Sequence, residues 1–291
     1  LSIPASGRRA SISKPNRWNA GQPECDIPPH PEYDGSNWQI KNLVEFKIGG
    51  NILVEGNIIE NTWCAAQDGP AVLITPREAS IDNVVFRNNV IRNARYAFQV
   101  NPADQELSNV VIENNLIYNM EWRIFEVTAP SGKQTENLII RNNTCLFAAE
   151  NTTNNGYGST QLVVGDLDVA VTNLIYQDNL ISGGFYAIHG AGQSPGLMSI
   201  EVFCDGFDVR GNAIVNPNMN YETDSIYRIG DNYDQAGDFY GDFSLQGTVD
   251  QVGFADILFD DIEDFRITDN VALQAAGTGV QLDALLSALG S

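Results

Sequence analysis

The sequence predicts an all-β chain wound as a right-handed parallel β-helix, a solenoid of about seven coils, and three observations carry that expectation. A short apolar strand, a polar pair ending in Asn and a second short apolar strand recur seven times along the 291 residues. The repeated Asn returns at uneven intervals of 32, 26, 28, 36, 33 and 58 residues, so one side of each turn is constant while the connecting loops vary. A third strand with period-two alternation follows most copies.

The copies are Ile52-Leu-Val-Glu-Gly-Asn57-Ile-Ile, Val84-Val-Phe-Arg-Asn-Asn89-Val-Ile, Val110-Val-Ile-Glu-Asn-Asn115-Leu-Ile and Leu138-Ile-Ile-Arg-Asn-Asn143-Thr-Cys. Leu174-Ile-Tyr-Gln-Asp-Asn179-Leu-Ile, Phe207-Asp-Val-Arg-Gly-Asn212-Ala-Ile and Phe265-Arg-Ile-Thr-Asp-Asn270-Val-Ala continue them. Helical repeats would space apolar residues by three and four, and a propeller blade would need four comparable strands; neither pattern is present. A single coil cannot bury its own inward face, but coils stacked about 4.8 Å apart pair their backbones and share an interior. The repeated Asn belongs at the bend, tolerating unusual dihedrals and bonding to the same amide one coil away. The rule for parallel crossover connections assigns the right hand.

Residues 1–36, rich in Pro and polar residues, read as an arm or covering loop, and residues 37–216 as the coils. Residues 217–250 read as an irregular acidic insertion packed on the stack, and residues 251–291 as a last coil and tail. Asp283-Ala-Leu-Leu-Ser-Ala-Leu-Gly290 carries a capping residue, an apolar run and a terminal Gly, so a short helix is expected there, placed to cover the last coil. The third strands are Leu43–Lys47, Ala71–Thr75, Ala97–Asn101, Ile124–Thr128, Gln161–Gly165 and Tyr186–His189. Alternation turns Val44, Phe46, Val72, Ile74, Phe98, Val100, Phe125, Val127, Leu162, Val164 and Ile188 inward.

With 43% hydrophobic and 18% charged residues the composition is that of a folded protein. A net charge of −21 disfavours nonspecific binding to nucleic acid or an anionic membrane, and membrane insertion is not expected because no run of about 18 apolar residues occurs. No leader pattern is apparent either. Cys25, Cys64, Cys145 and Cys204 form no CxxC pair; Cys145 stands where sister repeats carry Ile and reads as a buried thiol, while a Cys25–Cys64 bridge is left open.

At Ile12-Ser-Lys-Pro-Asn-Arg-Trp18, Trp38-Gln-Ile-Lys-Asn-Leu-Val-Glu-Phe-Lys47, Ile52 to Asn61 and Ala66 to Arg77, the chain resembles bacterial right-handed parallel β-helix repeat proteins of the pectin-lyase-like superfamily, mostly secreted. Val252-Gly-Phe and Ala276 to Leu285 are similar to their C-terminal tail. The resemblance covers roughly residues 12–101 and 250–288 and implies an extracellular or cell-surface protein, in a superfamily that includes polysaccharide lyases, hydrolases, esterases and epimerases as well as noncatalytic adhesins. It also implies further coils upstream, so the chain reads as the C-terminal half of such a protein, its stack completed by missing N-terminal coils or by self-association.

The polar residues that alternation turns outward line a face suited to a linear glycan: Glu45, Lys47, Thr75, Gln99, Asn101, Glu126, Thr128 and His189. Elimination on a uronic acid chain needs a base and a cation beside the substrate carboxylate, roles that Lys47 and Glu45 with Asp68 and Arg77 have the chemistry to fill. The competing reading of Lys47 and Glu45 is a solvated ion pair. Hydrolysis needs two carboxylates about 5–10 Å apart; Glu126 lies several coils from Glu45, which leaves Glu45 with Asp68. Trp18, Trp38, Trp63 and Trp122 are candidate stacking platforms or loop covers. Asp231–Asp234 and Asp260–Asp261 keep calcium open without a full ligand loop, so no cofactor or metal is assigned. The alternative function is a noncatalytic adhesive or glycan-binding stalk of a surface appendage.

Overall fold

The apolar triplets of the repeat alternate in and out, and in the computed structural model of the chain they stack as successive parallel rungs of a β-solenoid. The structure describes residues 2–3, 9–11, 41–60, 62, 69–147, 160–165, 168–181, 186–193, 196–214, 239–240 and 277–290. Strands and helices are numbered in chain order. The first ladder runs β1 (Ser2–Ile3), β4 (Gly49–Glu55), β7 (Ile81–Arg87), β9 (Leu107–Glu113), β11 (Thr135–Arg141), β14 (Val171–Gln177) and β17 (Cys204–Arg210). The second runs β2 (Arg9–Ser11), β5 (Ile58–Glu60), β8 (Val90–Val100), β10 (Leu116–Val127), β12 (Thr144–Phe147), β15 (Leu180–Ile181), β18 (Ala213–Ile214) and β19 (Phe239–Tyr240). The third comprises β3 (Val44–Phe46), β6 (Pro70–Ile74), the far halves of β8 and β10, β13 (Thr160–Val164) and β16 (Tyr186–His189).

Six copies of the repeat form rungs of the first ladder; the seventh, Phe265 to Ala272, lies outside the described residues. Two short pieces of the segment expected to be an arm extend the ladders instead, Ser2–Ile3 on β4 and Arg9–Ser11 on β5. The interior is a set of apolar columns in register, among them Val54, Phe86, Ile112, Ile140, Tyr176 and Val209. Phe86, Phe98 and Phe125 are fully buried and continue the contact across the interior, Phe86 edge-on to Phe98 at 5.3 Å and Phe98 stacked on Phe125 at 5.8 Å. Each such side chain contributes about 1.5–3 kcal/mol of burial energy. Cys145 occupies the Ile59, Ile91 and Ile117 column as a buried free thiol, and burial pushes its pKa well up; that of Cys204 rises to about 12.

The polar pair at the first bend divides two jobs between its residues. The earlier residue takes the left-handed conformation: Gly56, Asn88, Asn114, Asn142, Asp178 and Gly211 have φ between 52° and 68°. Gly and Asn reach that region at least cost, which explains the composition of the column. The later residue builds the ladder. Asn89 Oδ1 accepts from the backbone N and Nδ2 of Asn57, at 3.0 and 3.2 Å, and the pattern repeats from Asn89 to Asn115, Asn143, Asn179 and Asn212. These asparagines are at most 4% exposed, so every bond replaces water that cannot reach them.

Two further left-handed columns went unread in the sequence. Asn51, Asn83, Asn109, Asn137 and Asn173 put a left-handed kink in five of the first strands without shifting their register, and the exposed amides of Asn51–Asn83, Asn109–Asn137 and Asn137–Asn173 bond to one another. Asn93 and Asn119 bend β8 and β10 midway, which turns one strand into a member of both the second and third ladders. On the outer side of the first ladder, Glu55, Arg87, Glu113, Arg141, Gln177 and Arg210 stack in register, with ion pairs Glu55–Arg87 at 2.8 Å and Glu113–Arg141 at 2.7 Å. A slip by one rung would place Glu55 level with Glu113, so this alternation disfavours misregistered stacking.

Two helices occur among the described residues. Leu197–Phe203 (α1), which the repeat pattern did not predict, seals Ile200 and Phe203 into the interior. Leu282–Leu289 (α2) is the expected C-terminal helix, but its N-cap is Gln281 with no side-chain cap bond, and Asp283 lies in the first turn, where its charge suits the helix dipole. It lies along the flank of the second ladder rather than over the last rung, because Leu282, Leu285 and Leu289 bury against Ile58, Val90, Leu116, Tyr118, Leu146 and Leu180. That apolar strip is the outward half of the second strands.

Replacing Asn115 with Ala strips Asn89 of the acceptor for two buried donors and is expected to cost about 3 kcal/mol in denaturant-induced unfolding. Replacing Asn88 with Gly keeps the neighbouring left-handed turn and removes two part-exposed amide bonds, to Glu55 and from Asn114, and is expected to cost no more than about 1 kcal/mol. Equal effects of the two substitutions would contradict the division of roles.

Candidate functional site

The third ladder places the outward column as alternation requires. Glu45, Leu73, Gln99, Glu126, Val163 and His189 are successive register partners, with Lys47, Thr75, Asn101 and Thr128 continuing the strands beside them. The column is not uniformly open to solvent. Thr75, Glu126 and Thr128 are less than a tenth exposed, whereas Glu45, Lys47 and Arg77 are exposed and Gln99, Asn101 and His189 half-buried. The latter six are therefore the members with surface open to solvent.

Lys47 and Glu45 are an ion pair, Nζ to Oε1 at 3.2 Å, with 48% and 31% of their side chains exposed. Exposed pairs of this kind contribute little to stability, about 0–1 kcal/mol. Arg77 comes onto the adjoining rung, its backbone N donating to Lys47 O at 3.0 Å. Asp68 lies outside the described residues, so the proposed carboxylate between them has no geometry here. Glu45 and Glu126 are three ladder steps apart, about 14 Å, too far for paired action on one glycosidic bond.

A second cluster gathers where β8 and β10 emerge from their bends. The half-buried rings of Tyr96 and Trp122 lie 5.0 Å apart, and the guanidinium carbons of Arg123 and Arg95 stand 4.1 and 4.8 Å from the Trp122 centroid. Such contacts are cation–π attractions. Arg123 donates to one oxygen of Glu126, whose other oxygen accepts from Gln99 Nε2 at 3.0 Å. Arg123 also acts on His189: burial, and then the positive charge of Arg123, hold its imidazole pKa below the usual histidine range. The chain thus connects Gln99, Glu126 and His189, which the sequence had placed in one column, through Tyr96, Trp122 and Arg123, of which only Trp122 had been singled out. A signal was available. Arg95-Tyr96 and Trp122-Arg123 each follow a left-handed Asn, Asn93 and Asn119, by two to four residues in consecutive repeats.

Among the described residues no group of three or more His, Cys, Asp or Glu is arranged to hold a metal ion. The Asp231–Asp234 and Asp260–Asp261 loops and Trp18, Trp38 and Trp63 lie outside the described residues. No described helix is long and apolar enough to cross a membrane. No protein-family model, curated protein or solved structure matches the chain.

Because the folded state holds the His189 pKa down, the unfolded chain binds the proton more readily below about pH 6.5, and stability falls as pH drops through that region. His189→Gln is expected to flatten the slope of unfolding free energy between about pH 6.5 and 5, measured by urea titration at stepped pH. An unchanged slope would show that His189 is not the group responsible.

Proposed function

We propose that the protein is an extracellular glycan-binding β-helix that holds a linear polysaccharide along the outer side of the third ladder. The observation that carries this reading is the Tyr96–Trp122 pair with Arg95 and Arg123, half-buried at the surface and joined through Glu126 to Gln99. Aromatic rings pack against the C–H faces of sugars, and guanidinium and carboxamide groups bond hydroxyls. Rungs about 4.8 Å apart continue from this cluster as a row of polar side chains, Gln99, Glu126 and His189, along one axis, as an extended polymer requires. The prevailing charge of −21 makes these two arginines a local exception on an acidic molecule.

A second reading, polysaccharide elimination, draws support from the exposed Lys47 beside Arg77. In that chemistry the Glu45 carboxylate takes the proton next to the substrate carboxylate, a carbon–carbon double bond forms, and the glycosidic oxygen leaves with its electron pair and takes a proton from water. Lys47, held beside Glu45 by their ion pair, and Arg77 would stabilise the negative charge on the substrate carboxylate.

Trp122→Ala is expected to weaken binding to a glycan selected from a panel of polyuronates and neutral polymers by about tenfold, corresponding to about 1.4 kcal/mol. Far-ultraviolet circular dichroism should be unchanged, and undiminished affinity would remove the cluster from the binding face. The same panel, monitored for unsaturated products, tests elimination. Turnover that Lys47→Ala abolishes supports the second reading, and no turnover with any polyuronate leaves binding alone.

A further inference from the structure

The tail from Gly277 to Leu289 meets rungs that are distant in sequence and stacked in space. Thr278 Oγ1 donates to Gly211 O at 3.3 Å, Gly279 N to Asp178 O at 2.7 Å, and Val280 N to Thr144 Oγ1 at 3.0 Å. Asn142 Nδ2 donates to Gly277 O at 2.9 Å, and Gln281 N to Asn114 Oδ1. Beyond these, α2 buries its leucines against Val90 and Ile58, on the next two rungs. The tail therefore runs back along the stacking axis, from the rung of β17 to that of β4.

It makes these bonds where the stack offers them. The left-handed positions Asn114, Asn142, Asp178 and Gly211 offer polar groups at one bend of successive coils, and Gly277, Thr278, Gly279 and Gln281 use that row, while Val280 bonds to Thr144 beside it. Beneath α2 lies a strip of outward residues of the second strands, Ile58, Val90, Leu116 and Tyr118. Arg92 and Glu60 form an ion pair at 2.7 Å with side chains 5% and 4% exposed, and Arg92 also donates to Tyr118 OH at 2.7 Å. Such a pair is costly to desolvate.

From this geometry we infer that the C-terminal tail is a strap that couples six rungs into one cooperative unit. In a solenoid each coil touches only its neighbours, so end coils are free to open one at a time. A segment fastened to rungs from Gly211 to Ile58 removes that freedom, because neither end of the row leaves without detaching the strap. Gly279 is its pin. It stands at φ +81°, and a Cβ there would lie 2.8 Å from Thr144 Oγ1 and 3.0 Å from Leu180 Cβ, so side chains are excluded by conformation and by space.

Hydrogen–deuterium exchange of the full chain, read by mass spectrometry, tests the strap against Gly279→Val, a substitution that alters no coil residue. In the parent chain the amides of β4, β9 and β14 are expected to share one opening, with protection within about threefold of each other. In the variant α2 should lose protection, and β4 and β14 should exchange at least about tenfold faster than β9, as the ends open independently. Should the valine chain fail to fold, Gly279→Ala sets the same clash with a single methyl and is held to the same comparison. Uniform protection of the three strands after α2 is released, or graded protection already present in the parent chain, would overturn the proposal.

Discussion

The buried asparagine ladder is the constraint on which the remaining architecture depends. Each coil must reverse direction at the first bend without leaving a polar group stranded in an interior of Val, Ile and Phe. Asn57, Asn89, Asn115, Asn143, Asn179 and Asn212 solve that problem by bonding upward to one another and, from Asn89 on, back to the carbonyls of the rung below. The bonds lie along the stacking axis, so they hold only when rungs are in register. Register in turn sets every other column: the apolar interior, the alternating Glu and Arg outside the first ladder, and the outward row of the third.

The fold was legible because its repeat is short, strongly apolar and punctuated by one residue type. What the sequence hid was how the bend works. The two residues of the polar pair look interchangeable in Asn88-Asn89 or Asn142-Asn143, yet one supplies a left-handed turn and the other a buried amide. Gly56, Asp178 and Gly211 were the clue, since only the earlier position accepts them. The helix at Leu282–Leu289 was readable from its composition, but not its location. Where a helix docks depends on the apolar strip formed by Ile58, Val90, Leu116 and Leu180, residues brought together only by stacking.

The candidate site was legible in part. Alternation placed Glu45, Gln99, Glu126 and His189 in one column, and the strands bring them into one line of register; the pairing of Glu45 with Lys47 follows from two residues on one strand face. Burial was not readable in that way. Thr75, Glu126 and Thr128 point away from the interior and are still covered, so facing outward and meeting solvent are separate properties. The Tyr96–Trp122–Arg123 cluster depends on the second bends at Asn93 and Asn119, where the register between β8 and β10 shifts and a strict period-two reading fails.

The account rests on rungs meeting residue for residue, and cysteine cross-linking measures that directly. Val85 and Val111 are register partners on the outer side of β7 and β9, at a spacing of about 4.8 Å that suits a disulfide. Val85→Cys with Val111→Cys should close a bond under mild oxidation, mapped by mass spectrometry. Val85→Cys with Glu113→Cys, offset by two residues to about 7–8 Å, should remain reduced. Cross-linking of the offset pair in preference to the aligned one would contradict the stacking and the sites derived from it.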